Sequence, residues 1–494
     1  DIKQLLKQDS IESKEGYPFR FGKGIKVDID FFSDASIYSK GDTTFYYYEI
    51  KSPSAFSINL IFDHFKLNNN SYLNIYNSDQ SFFYGAITSK DIPQNGIFWT
   101  DLIKGDHIIL ELIEIGKSNS DKNQLHISSV VHGYQNVFVT PNNYGDSYSC
   151  NIDIVCPQGA SWGKEADAVT MLLLDAATRW CSGSLLNNTA KDFKGYLLTA
   201  FHCIDFNGDG TLSSSEKTDV NNWLFRFKYQ SPTCGGGDGT SYITFNGANF
   251  RAAYQQSDFA LLELLTTPTI SNCVTYAGWS RSSTAASTGA GIHHPKGDVK
   301  KISFDNDPLT SNSSQINWVG GTVSPVNTHW VVDFDQGTAQ GGSSGSPIFD
   351  QNHRIVGQLH GGADGCAPII KYYGRFDVSW TGGGTNDTRL SNWLDPINSG
   401  LTSLDTEYPV SITSTSSTCS SATYQVSIPS GVSVTWSVTG SGLSISGSNT
   451  ANPVTVNGPG TGILNASITS ACGNTDISKA ITVGLQTLSV SSYV

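Results

Sequence analysis

Gly341 to Asp350 reads Gly-Gly-Ser-Ser-Gly-Ser-Pro-Ile-Phe-Asp, with Ser344 set among small residues ahead of a hydrophobic strand. Small neighbours let a carbonyl group reach the hydroxyl. A tight turn can also aim the backbone N–H groups of Gly342 and Ser344 at one point, where a developing oxyanion would sit. A Gly/Ser turn alone is usually a plain hairpin loop. Two other segments change its meaning. Leu197-Leu-Thr-Ala-Phe-His202-Cys203 is an apolar strand ending in a histidine, and Ser257-Asp258-Phe-Ala-Leu-Leu-Glu-Leu is an aspartate opening an apolar strand.

The order His202, Asp258, Ser344 is the triad order of chymotrypsin-type enzymes, distinct from that of subtilisins or α/β-hydrolases. The expected chemistry is acyl transfer. Ser344 is the nucleophile, His202 the base, Asp258 the group orienting the base, and Gly342 and Ser344 form the oxyanion hole.

Of the 494 residues 15% are charged and 49 are glycine, and short apolar strands alternate with Ser/Thr/Asn runs, a pattern of all-β domains. This length exceeds one hydrophobic core. The regions expected are a β-rich pro-domain over 1–144, a catalytic domain over 145–405 and an Ig-like β-sandwich over 406–494. Strands are expected at Thr44-Phe-Tyr-Tyr-Tyr-Glu-Ile-Lys, Phe56-Ser-Ile-Asn-Leu-Ile-Phe, Tyr72-Leu-Asn-Ile-Tyr-Asn, His107 to Ile115, Gln124 to Val131 and Val432 to Val438. A net charge of −13 argues against a nucleic-acid partner, and no apolar run reaches the ~20 residues of a membrane span. The chain opens at Asp1 with no signal peptide, which reads as a secreted protein whose signal has been removed or omitted. Surface retention through the C-terminal region stays open. Nine cysteines without metal-type spacing suit an oxidising compartment. Cys273, in Ile270-Ser-Asn-Cys-Val-Thr, is expected buried and unpaired in a strand.

The central region resembles the bacterial lysyl endopeptidases. The resemblance rests on Ser149-Cys-Asn-Ile-Asp-Ile-Val-Cys-Pro, Cys181-Ser-Gly-Ser-Leu-Leu, the three segments above, Gly291-Ile-His-His-Pro, Gly357-Gln-Leu-His-Gly-Gly and Tyr373-Gly-Arg. It implies a chymotrypsin-like double β-barrel, flanked here by the N-terminal pro-domain and the C-terminal module. It also implies disulfides Cys150–Cys366, Cys156–Cys234 and Cys181–Cys203, with Cys419–Cys472 then a separate bond in the last domain. Trp318 and His360 match positions that shape the substrate site, and Gly361 is counted with them. Protein or peptide substrates are implied, and the chain's own propeptide is the expected inhibitor.

Two departures stand out. Where the family carries a pocket carboxylate before Tyr373-Gly-Arg, this chain has Lys371 with Tyr372 beside it, and Gln340 replaces a second acid. A lysine at the pocket floor would repel basic side chains and favour Asp or Glu as the residue on the acyl side of the scissile bond (P1). If Lys371 points outward, the pocket is neutral. No Lys or Arg lies between Lys122 and Lys164, so cleavage after Asp146 would fit an acid-preferring enzyme, or another protease. The second departure is Asp205-Phe-Asn207-Gly-Asp209-Gly-Thr211-Leu-Ser-Ser-Ser-Glu216, which satisfies the twelve-residue calcium loop. Calcium there is expected to be structural, with no cofactor in catalysis. A catalytically idle, adhesin-like binding protein on the same fold is the alternative reading.

Overall fold

The computed structural model describes residues 2–12, 18–92, 96–116, 123–137, 147–174, 178–237, 239, 241–318, 321–429 and 431–484. Asp146, most of the segment from Val139 to Tyr148, and the last residues from Leu485 lie outside the described residues. Contacts divide the chain into two compact units. One comprises Asp1–Ala190, Lys194–Thr267 and Ala277–Thr406, and the other Lys191–Phe193, Pro268–Tyr276 and Glu407–Val494.

The N-terminal part of the first unit is two five-stranded antiparallel sheets. In His107–Ile115 every second residue from Ile108 to Leu112 is buried, the period-two pattern of a strand with one face on a core. Ile58, Leu60 and Phe62 of Ser57–Lys66 join the same core. A helix at Ile2–Glu12, absent from the expected elements, buries none of its residues.

The rest of the unit is mostly β, built on two large sheets. The first orders its strands Ile243–Asn246, Leu224–Phe227, Val169–Leu174, Arg179–Leu185, Tyr196–Ala200, Phe259–Leu264 and Ala248–Tyr254. The second has ten strands, with Pro347–Phe349, Ile355–Gly362, Ile369–Arg375 and His329–Phe334 in succession at its centre. Leu198, Leu261, Ile292, Phe349, Ile355 and Trp279 come from both sheets into one buried cluster. No described helix is long and apolar enough to cross a membrane.

The second unit packs a four-stranded and a three-stranded sheet around Val434, Trp436, Val454, Val456, Leu464 and Ile468. Here the cysteine expectations are corrected. Cys273 lies not in a buried strand but at the left-handed end of a short 3-10 turn, Ile270–Asn272, and it is bonded to Cys472 with a Cα–Cα distance of 5.2 Å. Cys419 is exposed and free, so no Cys419–Cys472 bond forms. The ladder between Gly460–Ser470 and Gly473–Val483 explains this. Cys472 sits in the hairpin turn beside the Ser470–Gly473 pair, whereas the backbone of Cys419 lies against Gly484, beyond the far end of the same ladder. Eleven residues at about 3.4 Å each keep the two apart. Cys150–Cys366, Cys156–Cys234 and Cys181–Cys203 are bonded in the first unit.

Non-reducing peptide mapping should recover a Cys273–Cys472 cross-linked pair, and a maleimide should label Cys419 in the native protein. A Cys419–Cys472 peptide would contradict this assignment.

Candidate active site

Tyr196–Ala200 pairs antiparallel with Phe259–Leu264 in a register that sets Ala200 against Phe259. All five residues of the first strand are buried. The chain leaves that strand through a short turn, Phe201–Cys203, and enters the second through a left-handed residue, Asp258 (φ 55°). The register therefore brings His202 and Asp258 together just beyond the paired ends. Phe201 N–H donates to the Asp258 carbonyl at 2.8 Å, fixing the junction. The Asp258 carboxylate accepts from the His202 backbone N–H at 3.0 Å and pairs with Nδ1 at 2.9 Å. Asp258 is buried, and burial raises its pKa while His202 opposes the shift. The Cys181–Cys203 bond holds the turn from the neighbouring strand. His202 Nε2 has no hydrogen-bond partner among the described residues. It does not bond to Ser344 Oγ here, a distance that commonly tightens only once substrate is bound.

The serine turn is set by two neighbours that the sequence did not single out. Ser182 N–H donates to the Ser344 carbonyl at 2.8 Å, and its Oγ donates to the Gly342 carbonyl at 2.9 Å. Ser343 is fully buried, with Oγ 2.8 Å from His293 Nδ1, while Ser344 is half-buried. Both carbonyls of the turn are thus engaged by the neighbouring strand. Gly342 adopts φ +95° and Gly345 φ +81°, and a Cβ on Gly345 would run into Thr199 Oγ1 and the Ser182 carbonyl. These glycines are steric requirements of the turn.

His360 stacks between His202 (5.4 Å, 17°) and Trp318 (3.6 Å, 25°). Trp318 Nε1 donates to Ser324 Oγ, Gly361 lies against the Trp318 ring, and Tyr372 meets that ring edge-on at 6.0 Å. His329, another residue not foreseen, shares a 2.9 Å hydrogen bond with His360 Nδ1. Burial lowers His329 to about 3 and holds His360 well below its ordinary value, with His329 and His202 adding to the latter. Both rings are therefore neutral at physiological pH. His293, buried among Ser343 and Ser303 hydroxyls, is lowered to about 3 by burial and then by Lys371 and Lys301. No periodicity marks these histidines. The only sequence signal was the Gly291-Ile-His-His-Pro segment, which carried no assigned role.

Lys371 points inward. It is 3% exposed, and Nζ donates to the carbonyls of Ala339 (2.6 Å) and Ala363. Ala339 lies five residues before Ser344, so the ammonium sits behind the serine turn. Burial lowers its pKa to about 8, with Asp364 opposing. Gln340 accepts from Tyr148 N–H (2.7 Å) and Asn151 Nδ2 (2.9 Å), and so ties down the entry to the catalytic region instead of facing a substrate.

The loop from Asp205 to Glu216 is wound on its own carboxylates. Asp205 accepts from the N–H groups of Asp209 (3.2 Å) and Gly210 (2.9 Å), Asn207 bonds Asp209, and Asp209 accepts from Thr211. Glu216 accepts from Phe206 N–H and closes a capping box with Ser213 on the helix Ser214–Asp219. Burial raises the Asp205 pKa, and Glu216 and Asp209 add to the rise. A cation would relieve that repulsion. The groups among the described residues that bring ligand atoms within 4.8 Å of one another are Asp63–His64–His126, His202–Asp258–His360 and Asp305–Asp307–Asp335, and the acids of the Asp205–Glu216 loop do not form such a group. Hydrogen bonds to Asp63 and Asp28 occupy both nitrogens of His126.

Residues 144–374 match the family described as lysyl endopeptidase, C-terminal domain. The chain is 28% identical over 297 residues to the lysyl endopeptidase of Pseudomonas aeruginosa, a match covering 56% of this chain and 60% of that protein. It is 25% identical over 370 residues to secreted RxLR effector protein 73 of Plasmopara viticola, covering 68% and 82%. Among solved structures, the active form of the Rv3671c protease of M. tuberculosis matches at 13% identity and TM-score 0.30, covering 48% of this chain and 85% of that one. The MamO protease domain of Magnetospirillum magneticum matches at 14% identity and TM-score 0.28, covering 43% and 93%. The central region is lysyl-endopeptidase-like.

Proposed function

We propose that this chain is a secreted serine endopeptidase, made as a zymogen, that cleaves after acidic residues. The observation that carries the reading is the His202 imidazole hydrogen-bonded to the buried Asp258, with a half-buried Ser344 in a glycine turn whose carbonyls are engaged elsewhere. Ser344 Oγ attacks the scissile carbonyl and His202 Nε2 takes its proton. Asp258 fixes the tautomer and stabilises the imidazolium, and the N–H groups of Gly342 and Ser344 receive the oxyanion. The proton then passes from Nε2 to the leaving amine, and water repeats the sequence on the acyl-enzyme. His360 and Trp318 brace the imidazole from its other side.

The acidic preference rests on Lys371. A family carboxylate would attract a basic P1 side chain, whereas a buried ammonium behind the turn attracts a carboxylate. A charge-assisted hydrogen bond contributes about 1.5–3 kcal/mol, roughly ten- to a hundred-fold in kcat/KM. Calcium, when bound, would be held by Asp205, Asn207, Asp209, Thr211 and Glu216, and would stiffen the segment that follows His202.

Ser344→Ala should remove proteolysis and fluorophosphonate labelling while leaving the fold intact. Residual activity above about 10⁻³ of the wild type would sink the assignment, and an unlabelled wild-type Ser344 would favour the non-catalytic binding protein. With acidic substrates, kcat/KM should fall as pH rises through about 8, because Lys371 then loses the charge that binds P1. Neutral substrates should show no such fall, and Lys371→Met should abolish the difference. Cleavage predominantly after Lys or Arg in a proteome digest would refute the reading. Calcium should raise the melting temperature, and Glu216→Ala should erase the rise. A melting curve indifferent to both calcium and chelator would exclude the site.

A further inference from the structure

Away from the catalytic region, two histidines and two aspartates of the N-terminal part meet on one outward face. The strands that carry them, Gly22–Asp30, Gln124–Gly133 and Ser57–Lys66, lie side by side in one sheet. Leu125 and Ile127 are core residues, so His126 between them faces outward by simple alternation. On the neighbouring strand the register breaks. His126 stands opposite His64 and Ile127 opposite Phe62, which leaves Asp63 as an extra residue. Phe62 and Phe65 both reach the core, so Asp63 and His64 turn outward together. This is a β-bulge, a device that re-aims side chains. It sets a carboxylate and an imidazole, consecutive in the chain, beside the His126 ring.

The donor atoms converge. Asp63 Oδ1 lies 2.5 Å from His126 Nδ1 and 3.2 Å from His64 Nδ1, and the two rings meet edge to face at 5.9 Å. All three donor atoms fall within 4.8 Å of one another. Ligands bound tetrahedrally to zinc at about 2.1 Å stand about 3.4 Å apart, so the His64–Asp63 spacing already suits the ion. Admitting it requires Asp63 and His126 to separate by about 1 Å, the Nδ1 proton leaving to solvent.

The far side of the His126 ring is the second observation. Its Nε2–H donates to Asp28 Oδ1 at 2.8 Å, from the third strand. Metal-binding histidines carry such a carboxylate on their other nitrogen, because it fixes the ring and raises the basicity of the nitrogen facing the ion. Asp30 stands directly opposite His126 in the register, but its carboxylate caps the turn Phe31–Asp34. Asp28, two residues earlier on the same strand, takes the role instead. The other two groups of converging ligand atoms differ in kind. Asp305–Asp307–Asp335 has no imidazole, and His202–Asp258–His360 belongs to the candidate active site. Two imidazoles with one carboxylate suit transition metals, whereas calcium and magnesium take oxygen ligands.

We propose that His64, His126 and Asp63 form a binding site for a divalent transition-metal ion of the zinc type, with Asp28 orienting His126 and water completing the coordination. The ion ties Ser57–Lys66 to Gln124–Gly133 across the bulge, where their ladder is interrupted. This site is independent of the endopeptidase reading.

The test uses the full chain carrying Ser344→Ala, stripped with chelator and then kept in excess calcium so that groups of oxygen ligands alone do not compete. Zinc chloride is titrated by calorimetry, and cobalt chloride by the visible absorption that four-coordinate nitrogen and oxygen ligation produces. Zinc should bind and raise the melting temperature, by mass action on the folded state. The His64 side chain is 72% exposed, so His64→Ala should leave the circular dichroism unchanged while removing both the cobalt bands and the zinc-dependent melting shift. Asp28→Asn keeps all three ligands and should weaken zinc about 10- to 100-fold. His202 and His360 are present in every variant, so only the differences between variants report on this site. Absence of any zinc-dependent heat or melting shift would overturn the proposal, and so would zinc bound equally well by the parent and His64→Ala chains.

Discussion

The antiparallel register of Tyr196–Ala200 on Phe259–Leu264 is the constraint on which the candidate site depends. Fifty-six residues separate His202 from Asp258, and loop closure over that distance is entropically unfavourable. Five consecutive ladder pairs, buried on both faces, offset that cost before either side chain makes a contact. A one-residue slip would turn every side chain to the opposite face, taking Leu198 and Leu261 out of the cluster they share and separating the imidazole from its carboxylate. The site geometry is thus stabilised by core packing, and the His202–Asp258 hydrogen bonds are its consequence.

The same logic governs the polar interior. Ser182, Ser343, His293 and Ser303 are buried polar groups, each bonded to another member or to backbone, and the buried His329 is bonded to His360 and Thr328. Leaving any of them unpaired would cost about 1–3 kcal/mol. Each bond therefore also fixes a backbone direction, and the turn that exposes Ser344 is the sum of several such directions. Burial keeps His293 and His329 neutral, so neither ring adds a positive charge to this interior.

Lys371 illustrates how a buried charge can be held without an acidic partner. Its ammonium is capped by two backbone carbonyls, which compensate only part of the lost hydration, and the remainder appears as a lowered pKa. Such a group is only partly satisfied by its surroundings.

Much of this chain was legible in its residues. Strand-forming stretches, the order and spacing of His202, Asp258 and Ser344, and the glycines of the serine turn follow from local chemistry: alternation, β-branching and positive φ are properties of short segments. The inward direction of Lys371 was not legible, because one residue in a strand can face either way until its neighbours are placed. His293 and His329 were not either, since their partners lie ten to fifty residues away. Cysteine pairing failed at Cys273 for the same reason. Position along the chain suggested a Cys419–Cys472 bond, but an eleven-residue ladder carries Cys472 to the opposite end from Cys419. Sequence alone determines which segments become strands and which residues are equipped for chemistry. Only tertiary structure decides which of them meet, because contact depends on register and distance between elements that share no local signal.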